Sequence, residues 1–173
     1  EEENIIAVKV DNSAQPNSRW YTGSGIYRNV RLVATDKLRV DQWGTFVTTP
    51  SVTEDSASVH LEVSVKNDHD SIRNATIVST ILDAENRQVG KQETEVQISG
   101  SSSTMIDQAF TVTDPELWDI ENPYLYKVIT EVYHDDQLTD NYETPLGIRY
   151  FRFDPKEGFF LNGKPMKILG VNL

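Results

Sequence analysis

Arg19, Trp20 and Tyr21 stand side by side in the stretch SRWYTGSGIYRNVRL, residues 18–32. An indole offers a flat apolar face for C–H stacking, and a guanidinium offers a fork of hydrogen-bond donors. Together they suit a ring that carries hydroxyls. A structural reading competes, with Trp20 and Tyr21 packed between domains and Arg28 and Arg31 bonded to nearby acids or backbone. Asn172 closes the apolar run Met166–Leu173, where it can either face a ligand or cap a strand end through backbone hydrogen bonds.

Other polar clusters carry less. Asn67–Asp70 (NDHD) and His134-Asp135-Asp136 gather oxygen and imidazole groups, but without the ligand spacing of a calcium loop or a zinc site. Both read as solvated turns. His60 falls on the polar face of an alternating stretch and is expected at the surface. Glu116, Asp119 and Glu121 surround Trp118, yet nothing orients two of them as an acid/base pair; Trp118 reads as a plug at the end of a core. Asn74-Ala75-Thr76 matches a glycosylation sequon, which matters only in a eukaryotic secretory host. Within this chain, no catalytic residue, metal site or cofactor is expected.

The 173 residues suit one ordinary domain with additional elements on its flanks. With 16 basic against 27 acidic residues the net charge is −11, which disfavours nucleic acid and anionic membrane surfaces as partners. No apolar run approaches the ~20 residues of a membrane span. Cysteine is absent, which removes disulfides and thiolate chemistry and leaves periplasm and cytoplasm equally open.

What must position these residues is a set of strands. Val59, Leu61, Val63 and Val65 alternate with polar neighbours. Ile77 and Ile81 share one face and Val78, Thr80 and Leu82 the other, before a turn at Glu85-Asn86. Ile106, Phe110 and Val112 share a face, as do Tyr124, Tyr126, Val128 and Val132, which run into a turn at Asp135-Asp136. VDQWGTFVTTPSV reads as two short extended pieces broken at Gly44 and Pro50. No stretch reads as a convincing amphipathic helix. The chain is therefore expected to be all-β, with an immunoglobulin-like antiparallel β-sandwich at its centre.

The ends do not fit that sandwich. Ile6, Val8 and Val10 suggest one strand and residues 25–33 a second, joined by a polar loop, and two strands alone cannot bury both faces. Near the other end Asn162-Gly163 marks a hairpin tip, with Pro165 just beyond it. Met166–Leu173 then reads as a strand buried on both faces. Opening on the strand-like EEENIIAVKV, the chain reads as a trimmed fragment with extra strands from truncated neighbouring domains at both ends.

Three landmarks, SRWYTGSGIYRNVRL, PELWDIENPYLY and GIRYFRFDPKEGFFLNGKPMKILGVNL, occur in an order that closely resembles the family 2 glycoside hydrolases, β-galactosidases among them. The resemblance implies three regions. Residues 1–35 would be the last strands of a jelly-roll sugar-binding domain, 36–147 the sandwich, and 148–173 the lead-in hairpin and first strand of a (β/α)₈ barrel. It further implies a retaining mechanism on terminal β-galactosides, with two glutamates about 5 Å apart across the glycosidic bond. Both would lie on later barrel strands, and a barrel takes ~250 residues. The chain alone is therefore expected to be inactive, its sandwich serving as an inter-domain spacer.

The same resemblance places Arg19, Trp20 and Asn172 at the substrate side of the longer enzyme. An acidic residue that some members carry near the first landmark is replaced here by Ser18-Arg19. Expected partners are a β-galactoside, the remaining domains, and further copies met through unpaired strand edges. A second reading is a self-contained sandwich that binds carbohydrate or protein on a platform of Trp20, Tyr21 and Trp43.

Overall fold

A computed structural model describes residues 5–13 and 23–170 and divides the chain into two units, 1–34 and 35–173. The second unit is built on seven long strands: β1 (Leu38–Val52), β2 (Ser56–Asn67), β3 (Arg73–Leu82), β4 (Gln88–Ile98), β5 (Ser102–Thr113), β6 (Tyr126–His134) and β7 (Gln137–Leu146). They form two antiparallel sheets, ordered β1-β2-β5 and β4-β3-β6-β7. No helix occurs among the described residues. This is the all-β sandwich that the alternation implies.

Period-two alternation builds the core directly, because successive side chains of a strand leave on opposite faces. Ala57, Val59, Leu61, Val63 and Val65 of β2 are buried against Ala75, Ile77 and Ile81 of β3 and Val128 and Val132 of β6. Ile106, Phe110 and Val112 of β5 complete the layer. Tight turns then fix the registers. Asp135 and Asp136 take left-handed backbone (φ 49° and 60°) between the paired residues His134 and Gln137. Those are the torsion signs of a type I′ hairpin, whose twist matches the strands it joins. Asn86 (φ 61°) turns β3 into β4, where the Asp83 carboxylate accepts from the backbone N–H of Glu85 and Arg87.

The stretch expected as two pieces, broken at Gly44 and Pro50, is one strand instead. Both breaks survive inside β1 as irregularities in its pairing with β2, between Val40 and Thr45 and between Thr48 and Ser51. At the first, a Cβ on Gly44 would sit 2.7 Å from the Ser64 carbonyl oxygen, so only glycine fits. β1 is also laced to β7 of the opposite sheet and the residues just beyond it by three side-chain bonds. The Val40 N–H donates to Asp140 Oδ2 (2.9 Å), the Thr45 and Thr144 hydroxyls pair at 2.8 Å, and the Thr49 hydroxyl donates to the Arg149 carbonyl (2.9 Å).

Beyond β7 lies a separate, three-stranded sheet of β8 (Phe151–Asp154), β9 (Gly158–Leu161) and β10 (Lys164–Met166). The hairpin at Asn162-Gly163 forms as expected, with φ of 48° and 77°. Pro165 sits on the edge strand, where its missing N–H costs no ladder bond. Phe151, Phe153 and Phe159 cluster on one face with centroids 5.0–6.1 Å apart. On the other face the Arg152 guanidinium lies 3.6 Å from the centre of the Phe160 ring.

Three expected strands are not found among the described residues. Residues 5–13 and 23–34 contain no strand, with Ile6 and Leu32 among their exposed side chains, and residues 167–170 contain none, with Ile168 and Leu169 exposed. An extended segment becomes a strand only when a neighbour takes up its backbone N–H and C=O groups. None of these segments has such a neighbour among the described residues. Hydrophobic alternation alone did not supply one.

Candidate functional site

Arg19, Trp20 and Asn172, together with Tyr21, lie outside the described residues. Trp43, the remaining member of the aromatic platform, sits in the β1 irregularity at φ 54° and is 85% exposed. Beside it, Phe46, Glu62, Ser64 and Met105 help line a cavity of about 160 Å³. Pockets that enclose a drug-sized ligand are roughly 300 Å³ or more. The cavity beside Trp43 is thus smaller than that, and the described residues around it build no larger one.

The described residues of the second and third sequence landmarks meet at Trp118. Its backbone N–H donates to the Ile148 carbonyl (2.8 Å) and its own carbonyl accepts from the Asn162 amide (2.9 Å). A Cβ on Gly147 would lie 3.1–3.2 Å from the indole, so the ring packs directly on that backbone. The Arg149 guanidinium covers the ring at 5.2 Å. Asn162 also accepts from the Tyr150 N–H through its side chain (3.1 Å) and donates its own N–H to the Tyr150 carbonyl (2.9 Å). One asparagine therefore shapes the hairpin tip and fastens it to the loop after β5. Trp118 is half-buried at this junction, and it is the neighbouring Leu117, instead of the expected Trp118, that packs against the core.

Two of the three carboxylates around Trp118 are occupied structurally. Glu116 accepts from the Asn122 amide (2.8 Å), and Asp119 accepts from the Glu121 N–H (3.3 Å) and lies 3.9 Å from the Lys164 ammonium. A general acid at neutral pH needs a carboxyl pushed upwards. Among the described residues, every carboxylate with a resolved shift moves the other way. Hydrogen bonds from the Leu38 N–H, from Arg39, and from the Glu157 and Lys156 N–H groups lower Asp36, Asp68 and Asp154 respectively. Burial opposes the shift at Asp83, but hydrogen bonds from Arg87 and its charge outweigh it and hold that carboxyl down as well.

The two clusters read as turns behave as turns, with one difference. Asn67 is fully buried instead of solvated, and its amide donates to the carbonyls of Ser71, Ile98 and Ser99 (2.9, 3.1 and 3.2 Å). Polar sequence neighbours concealed this, since its amide is taken up by the loop leading into β3 and by the end of β4. His134 bonds the Asn74 carbonyl at 2.7 Å and stands 3.5 Å from Asp135. Among the described residues, three metal-ligating side chains converge at His60, Glu62 and Asp107.

Residues 39–149, which span this sandwich from its first strand to the Trp118 junction, match the family described as Glycosyl hydrolases family 2. The chain belongs to glycosyl hydrolases family 2. It is 45% identical over 171 residues to a β-galactosidase, BoGH2A, of Bacteroides ovatus, covering 99% of this chain and 20% of that protein. A crystal structure of a family 2 member from Bacteroides cellulosilyticus superposes with a TM-score of 0.80 at 39% identity, covering 91% of this chain and 22% of the other. A Bacteroides uniformis β-glucuronidase superposes at 0.85 and 33% identity, covering 94% and 21%. The family 2 chain thus spans about a fifth of the length of these relatives.

Proposed function

We propose that this chain is the sandwich portion of a longer family 2 enzyme that hydrolyses terminal β-galactosides, with residues 1–35 and 148–173 belonging to a sugar-binding domain and a catalytic barrel on either side. The observation that carries this reading is the 45% identity to the Bacteroides ovatus β-galactosidase, sustained over 99% of the chain. The chemistry would come from two glutamates in the rest of the protein, one protonating the leaving oxygen and one attacking the anomeric carbon. Arg19, Trp20 and Asn172 would then face substrate, the indole stacking on the sugar ring and the polar groups bonding its hydroxyls.

The sandwich itself would be a spacer that sets the distance between its neighbours. Phe151 and Phe153, 60% and 70% exposed on the small sheet, form an aromatic face suited to cover by the remaining domains. Further copies are a competing partner for that face. The likeness to the Bacteroides uniformis β-glucuronidase favours a second reading, in which the substrate is a β-glucuronide. The test compares nitrophenyl β-galactoside with nitrophenyl β-glucuronide, using the isolated chain and the enzyme extended by its own reading frame. Galactoside turnover confined to the extended enzyme is expected. Preference for glucuronide would overturn the substrate assignment, and turnover by the isolated chain would overturn the spacer role.

A further inference from the structure

The outer face of the β1-β2-β5 sheet carries an arrangement that glycosidase chemistry does not require. His60 and Glu62 of β2 point away from the core, flanked in sequence by the buried Val59, Leu61 and Val63. Asp107 of β5 pairs directly across from Glu62, and His60 lies two positions along, opposite Ala109. His60 Nε2 stands 3.2 Å from Asp107 Oδ1, and one donor atom from each of the three side chains lies within 4.8 Å of the others.

Two features set this trio apart from an ordinary surface ion pair. Like charges directly opposite on neighbouring strands destabilise a sheet, yet Glu62 and Asp107 face each other with no Lys or Arg bound to either among the described residues. Glu62 has no hydrogen-bond or ion-pair partner among them at all, while Asp107 has only His60. An exposed His–Asp pair contributes little by itself and leaves that repulsion in place. A divalent cation would replace it with attraction to both carboxylates.

We propose that His60 Nε2, Asp107 Oδ1 and a Glu62 carboxylate oxygen form a surface site for a divalent transition metal, best filled by zinc. Tetrahedral zinc with bonds of 2.0–2.1 Å holds its ligands about 3.3 Å apart, which the His60–Asp107 separation of 3.2 Å already matches. Glu62 supplies the third bond by adjusting its unpartnered, flexible side chain, and water takes the fourth position. An imidazole with two carboxylates selects zinc and its neighbours over calcium and magnesium, which prefer shells made wholly of oxygen. The donors sit on two hydrogen-bonded strands, so little ordering is needed before the metal arrives. Bound there, the ion cross-links β2 to β5.

The test is calorimetric titration of the full chain with zinc chloride, with calcium chloride as comparison. One equivalent of zinc is expected to bind at micromolar affinity, to shift the His60 imidazole resonances, and to raise the melting temperature. Calcium should do none of these. His60→Ala and Asp107→Asn should each weaken zinc binding by at least about tenfold. His134→Ala removes a histidine whose Asp135 partner belongs to no three-residue group among the described residues, and should leave binding unchanged. Circular dichroism checks that every variant is folded. Undetectable zinc binding, equal affinity for calcium, or binding insensitive to His60→Ala would overturn the site.

Discussion

A single buried amide can hold a strand end closed, and Asn67 does so by serving three backbone carbonyls at once. These carbonyls lie on the segments that enter β3 and leave β4, so the residue ties the close of β2 to the opposite sheet. Removing a donor from buried acceptors costs their full desolvation. Asn67→Ala is therefore expected to destabilise the fold by about 2–3 kcal/mol, read from urea denaturation. Asn67→Asp should cost more, because a carboxylate presents only acceptors to those carbonyls. At this scale the sequence was least legible. NDHD reads as solvent-loving throughout, and only the closed sandwich reveals that its first residue faces inward.

Elements were legible where alternation and turn chemistry agreed. β2, β5 and β6 carry clean alternation, and Asp135-Asp136 and Asn162-Gly163 announce hairpins through residues that tolerate positive φ. β8 was missed although Asp154-Pro155 and Gly158 bracket its turn into β9, because four residues are too few to show a period. β1 was split because glycine and proline punctuate bulges as readily as they end strands. Asn162 has two roles, and its variants separate them. Asn162→Gly keeps the left-handed turn and loses the side-chain bonds to Trp118 and Tyr150, whereas Asn162→Ala loses those bonds and the ease of the turn. Amide exchange in β9 and β10 should quicken modestly in the first and markedly in the second, the extra cost of alanine at positive φ being about 1 kcal/mol. Equal effects would show that only the side-chain bonds matter.

The molecule as a whole carries a charge of −11, and acid should find its weak points. Asp36, Asp68, Asp83 and Asp154 all bind protons more weakly when folded than their ordinary value implies. Below about pH 4 the unfolded chain takes up protons that the folded chain resists, so stability present at neutral pH is lost as pH falls. The urea midpoint should stay nearly level between pH 7 and 5 and then fall, a course that denaturation at stepped pH will check. A midpoint that rose on acidification would mean that relief of self-repulsion dominates instead. Family membership was legible only at this largest scale, through three separated landmarks, and the residues expected to touch substrate lie outside the described segments of the chain.

The lacing of β1 to β7 has a mechanical consequence. Val40, Thr45 and Thr49 meet Asp140, Thr144 and Arg149 in ascending order, so the two stretches run the same way along opposite sheets. The sandwich is entered through β1 and left beyond β7 at the other end of that seam. Tension between entry and exit therefore slides one stretch along the other and loads all three bonds together. A hairpin pulled from its open end would instead unzip, its bonds breaking in succession. A sandwich clamped in this way transmits force across its length before it yields, and its two ends keep their separation under load.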